Sequence, residues 1–91
     1  MSELELLRTE IDEIDTALAA LFVKRMEAVK KIAAEKQEKG LPICDKAREE
    51  AILTDRTAAF SQKDLLPYYK AFLEELLTLS KDYQTKLGGK A

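Results

Sequence analysis

The sequence contains no histidine. Its absence removes the usual general base near neutral pH, the commonest metal ligand and every Ser–His or Cys–His nucleophile system. Cysteine occurs once, as Cys44, so no intrachain disulfide can form. A single thiol suits a reducing compartment, and we expect a cytoplasmic protein. Glycine and proline are scarce, three and two in 91 residues, which leaves little turn chemistry. No apolar run approaches the ~20 residues needed to cross a bilayer, and the acidic start Met1-Ser2-Glu3-Leu4-Glu5 does not read as a signal peptide. A basic tract is missing as well. The net charge of −2 disfavours a nucleic-acid partner but leaves room for a local cationic cluster facing a small anion.

What is present is helical patterning. Charged residues make up 35% of the chain and hydrophobic ones 46%, far from the composition of a disordered chain, and residues 1–91 read as one small domain. Apolar residues fall at Leu4, Leu7, Ile11, Ile14, Leu18 and Leu21, then at Ala28 and Ile32. The steps alternate three and four, the seam of a helix packed lengthwise on another. With no Gly or Pro before Gly40, the first helix should run from about Glu3 to about Glu38, a length of about 54 Å. A compact chain of this size has a radius of gyration near ~12 Å and a diameter of roughly 30 Å. The helix therefore overshoots its own domain and leaves an apolar stripe in water, for which a second copy is the simplest cover. The expected fold is all-α, with three helices per chain, one of them very long, in an intertwined homodimer.

Gly40-Leu41-Pro42 should end the first helix, and Asp45 should cap a shorter second helix reaching about Ala59. Ser61-Gln62-Lys63-Asp64 reads as a capping box with Asp in place of Glu. It precedes a third helix from about Pro67 to Leu87, whose apolar face is Tyr69, Phe72, Leu73, Leu76, Leu77 and Tyr83. Residues 87–91 read as a flexible tail or a truncated linker. There is no β pattern and no internal repeat.

Position 25 of the seam is Arg. A lone charge in a dry helix interface costs several kcal/mol (roughly 3–5) unless something pairs with it. Lys36 lies eleven residues on, only about 20° off the same face and about 16 Å along the axis, with Val29 and Ile32 between them. The pair forms a cationic wall long enough for a small dicarboxylate. Arg8 lies about 26 Å from Arg25 along the axis, beyond the reach of one small ligand, but in an antiparallel pairing a second chain's Arg8 can come close. Singly, each residue has an ordinary reading. Arg8 could pair with Asp12 at i+4, and Lys36 could be surface charge. Arg25 could snorkel. Asp45 is a cap, Arg48 and Glu49 could be solvated, and Ser80 and Gln84 could be tolerated boundary residues. Cys44 is expected to be a packing residue.

Together, Leu7-Arg8, Arg25, Lys36, Asp45-Lys46-Ala47-Arg48-Glu49 and Ser80…Gln84 resemble the signature of the AroQ-class chorismate mutases. Leu7-Arg8-x-x-Ile11-Asp12-x-Ile14-Asp15 is similar to the start of that family's long first helix. Pro42-Ile43-x-Asp45-x-x-Arg48-Glu49 is similar to its turn into the second, and the likeness runs from about Leu4 to Gln84. Between the second and third helices the spacing differs from some members. The resemblance implies a homodimer with two shared sites that rearranges chorismate to prephenate, without cofactor or metal, in phenylalanine and tyrosine biosynthesis. It implies that Arg25 and the partner subunit's Arg8 bind the substrate's two carboxylates. Lys36 and Gln84 would donate to the ether oxygen, Glu49 and the Asp45 backbone amide would hold the ring hydroxyl, and Arg48 and Ser80 would line the pocket. Two other readings stay open: an isochorismate–pyruvate lyase on the same scaffold, and a non-catalytic helical dimerisation module.

Overall fold

A computed structural model of the chain describes residues 2–89. Three helices and no strand occur among them: α1 over Glu3–Lys39, α2 over Lys46–Ala59 and α3 over Leu66–Lys86. The Ser2 hydroxyl caps α1 by accepting from the Glu5 amide, and Glu3 and Glu5 face the positive end of the helix dipole. At the other end Gly40 turns left-handed at φ 67°, so that its amide reaches the Gln37 carbonyl and the Leu41 amide reaches that of Lys36. This is a Schellman closure, which an L side chain at Gly40 would strain, and Pro42 then bars any continuation. The Asp45 side chain caps α2 through the Arg48 amide at 3.0 Å.

The capping box expected at Ser61–Asp64 does not form. Residues 63–65 make a turn instead, and α3 starts at Leu66 with Leu65 as an N-cap that offers no side-chain oxygen. Pro67, in the first turn, and the stacking of Phe60 on Tyr69 (ring centroids 4.3 Å apart) set that start in its place. At the tail, residues 90 and 91 lie outside the described residues. Before them, the Leu87 carbonyl accepts from Gln37 Nε2 and the Gly89 amide donates to the Gln84 carbonyl. Gly89 lies so close to Ile43 that a Cβ there would meet its side chain at 2.8 Å.

The described chain measures 56 × 26 × 15 Å, and its radius of gyration of 16.6 Å exceeds the compact value for its length. One element explains both figures: α1 has 37 residues, and the three-helix packing engages only its second half. There Val29 and Ala33 are buried with Ile43 and Leu73. Leu4, Leu7, Ile11, Ile14, Leu18 and Leu21 remain 48% to 60% exposed. α3 packs on both α1 and α2, which make no comparable contact with each other. The space between α1 and α2, floored by α3, is a cleft.

Candidate active site

The cleft has a volume of about 360 Å³. α1 presents Arg25 and Lys36 to it with Val29 and Ile32 between them, as the eleven-residue spacing requires. The first turn of α2 contributes Asp45, Arg48 and Glu49, and α3 contributes Ser80 and Gln84 from one face. Seven of the eight residues singled out in the sequence thus meet in one cavity. Arg8 does not; it is exposed on the far end of α1, without an ion pair to Asp12 or any other acid among the described residues.

Charge in the cleft is lopsided. Five cations line it, Arg25, Lys36, Arg48, Arg56 and Lys81, against the carboxylates of Asp45 and Glu49. Both carboxylates are engaged: Asp45 caps α2, and Glu49 Oε1 accepts from Lys81 Nζ at 2.9 Å, which raises the Lys81 pKa. Among the described residues the other four cations have no acidic partner. The N-terminus of α2 adds its unpaired amides and positive dipole end to the same wall. Such a cavity suits a small polyanion.

Two of these four cations are also oriented. Arg25 Nη1 donates to Ser80 Oγ and, at 3.4 Å, to the Leu76 carbonyl. Ser80 Oγ in turn donates to that carbonyl at 2.7 Å. Desolvation lowers the Arg25 pKa, and the nearby Arg56 charge adds to the effect. Lys36 Nζ donates to the Ile43 carbonyl at 2.7 Å, which holds the ammonium in place. Gln84 is buried, and its Oε1 has no hydrogen-bond partner among the described residues. An orphan buried acceptor costs about 1–3 kcal/mol. Gln84 thus puts a polar side chain with an unpaired acceptor on the cleft wall.

Two corrections concern polar side chains. Cys44 is exposed rather than packed, with Sγ 3.5 Å from Glu49 Oε2. Ser80 and Gln84 are the buried polar residues of the described chain, not boundary positions. Arg56 and Lys81 were missed in the sequence. Arg56 follows Glu49 by seven residues and Lys81 follows Leu77 by four, so each shares a helix face with a cleft residue. That register was the available signal. Among the described residues no group of three or more His, Cys, Asp or Glu side chains converges as a metal site, and no helix is long and apolar enough to cross a membrane.

Comparison with known proteins agrees with the cavity's chemistry. The chorismate mutase type II family matches residues 7–85. The T-protein of Haemophilus influenzae is 45% identical over 56 residues, and that of Enterobacter agglomerans 41% over 56. In both cases the stretch is 62% of this chain but 15% of the relative, so the chain spans only a small part of the curated relatives it matches. No solved structure matches.

Proposed function

The chain belongs to the chorismate mutase type II family, and from that premise we propose that its cleft binds chorismate and rearranges it to prephenate, a step of aromatic amino acid biosynthesis. The observation that carries the reading is the set of four cleft cations without acidic partners among the described residues, two of them oriented, closed by Gln84 at one wall. A Claisen rearrangement within one molecule needs neither nucleophile nor proton transfer. It needs the substrate folded with its enolpyruvyl arm over the ring, and it needs donors where the ether oxygen gains negative charge.

Arg25, held by Ser80 and the Leu76 carbonyl, is set to grip one carboxylate with its remaining guanidinium N–H groups. Arg48 lines the same pocket. Holding both carboxylates imposes the reactive fold, the proximity contribution to rate. Lys36 and Gln84 donate to the ether oxygen as its bond to the ring breaks. Each such preorganised donor is worth about 2.7–4 kcal/mol in the transition state. Lys36 leaves the Ile43 carbonyl, or shares its ammonium protons with it, to do so. Glu49, steadied by Lys81, and the backbone amide at Asp45 hold the ring hydroxyl.

The second carboxylate takes the partner's Arg8. This follows from a homodimer in which a second copy covers the exposed seam and brings its N-terminal half across the cleft. Completing the burial of each half-exposed Leu or Ile there contributes about 1 kcal/mol. We place this dimer in the cytoplasm, consistent with one free thiol. The test is loss of chorismate's ultraviolet absorbance on adding the purified chain, with prephenate as product. Isochorismate supplied in parallel, yielding salicylate and pyruvate instead, would replace the mutase by a lyase on the same scaffold.

A further inference from the structure

Arg56 is a charged group in the cleft that the roles above leave unused. It stands in the last turn of α2, on the face that carries Glu49 and Ile52 into the cavity. Its own helix offers it no acid. The positions three and four residues away are Ile52, Leu53, Ala59 and Phe60, and adjacent Asp55 points elsewhere on the helix. Glu49, the acid on its face, is bonded to Lys81. Among the described residues Arg56 makes no ion pair, and the charge it faces across the cleft is another guanidinium, that of Arg25. Two like charges turned toward one cavity repel until an anion sits between them. Arg25 has committed only Nη1 to α3, so its other N–H groups remain to be shared.

We propose that Arg56 is a substrate-binding residue, and that it grips, together with Arg25 of the same chain, one carboxylate of the substrate. The proposal rests on the mutase reading for the identity of that substrate, and it adds a second intrachain guanidinium to the carboxylate site. Arg25 comes from α1 and Arg56 from α2, so the bound carboxylate also ties together two helices that otherwise meet only through α3.

The experiment compares wild type with Arg56→Leu and Arg56→Lys in steady-state kinetics, in calorimetric titration with chorismate and in thermal melting without ligand. Arg56→Leu should raise KM and the calorimetric Kd roughly ten- to a hundredfold, the range for a hydrogen bond to a charged group, with kcat within about twofold. Arg56→Lys should recover part of the affinity. The melting temperature of ligand-free Arg56→Leu should stay level or rise, because a like-charge contact has been removed. An unchanged KM and Kd would overturn the proposal. So would a weaker variant that also melts earlier and dissociates on dilution, since Arg56 would then be a strut against the partner chain. If wild type leaves chorismate unreacted, the mutase reading fails separately, and the calorimetric Kd still reads Arg56: equal affinities in wild type and Arg56→Leu, or none in either, would sink it.

Discussion

The N-terminal half of α1 and its C-terminal half follow the same three-and-four periodicity but meet different surroundings. Up to Leu21 the apolar positions stand half-exposed in the single chain. From Arg25 onward the same face meets α3, and its polar members turn into the cleft. A continuous helix thus has two environments: one half stands half-exposed, the other half walls a cavity. Arg25 stands at the junction, because it also borders a second hollow, apolar and formed by Leu18, Leu21, Phe22, Phe72 and Leu76. A periodic seam shows that a face must be covered, and only the tertiary arrangement shows by what.

The contrast can be broken most directly at Leu18. Leu18→Asp sets a charge in the seam, where an unpaired buried charge costs several kcal/mol, roughly 3–5. The proposed dimer should give way to monomer in sedimentation, with activity lost altogether; a variant of unchanged mass and rate would mean that the half-exposed stripe needs no partner. In the other half, Lys36→Ala should lower kcat by about 10²–10³, the effect of losing one transition-state donor, while KM moves little. A raised KM with intact kcat would reduce Lys36 to ground-state binding.

A refolding experiment tests whether the two halves belong to one site. Arg8→Ala and Arg25→Ala should each be nearly inactive. Unfolded and refolded together in equal amounts, they should recover about a quarter of wild-type activity, because random pairing makes roughly half the dimers mixed and each mixed dimer has one intact site. Recovery no greater than the average of the two variants would separate Arg8 from the cleft. The smallest expected change concerns Gln84→Glu. A protonated Glu can donate as the amide does, whereas a carboxylate repels the developing negative charge. The variant should therefore work on the acid side and lose rate as pH rises through the new group's pKa. A flat profile would move Gln84 away from the ether oxygen.

Much of this was legible in the residues because it depends on local rules. Gly40 and Pro42 end α1, Asp45 caps α2, and the 25-to-36 spacing puts two cations on one face whatever surrounds them. Pro67 marks the start of α3 to within a residue, but the cap was misread, since Ser61 and Asp64 carry the right side chains while the helix begins behind Leu65, beside the Phe60–Tyr69 stack. For Arg56 and Lys81 the register alone was an ambiguous signal. A cation four or seven residues from a cleft residue looks like any solvated face until another element arrives opposite it. Cys44 was misjudged on general habit, as thiols are most often buried and this one stands at an open helix entrance.

The packing of α2 has a consequence for local opening. That helix has no buried residue of its own, and within the chain it leans on α3 alone. Its amides should therefore exchange with deuterium faster than those around Val29, Ala33 and Leu73, through an opening that leaves α1 and α3 docked. Arg48, Glu49 and Arg56 ride on that helix, so each opening takes one wall of the cavity away. A ligand spanning α1 and α2 closes the gap and stabilises the docked state in proportion to its affinity. Slowed exchange along Lys46–Ala59 would then register occupancy of the cleft, even for a compound that never reacts.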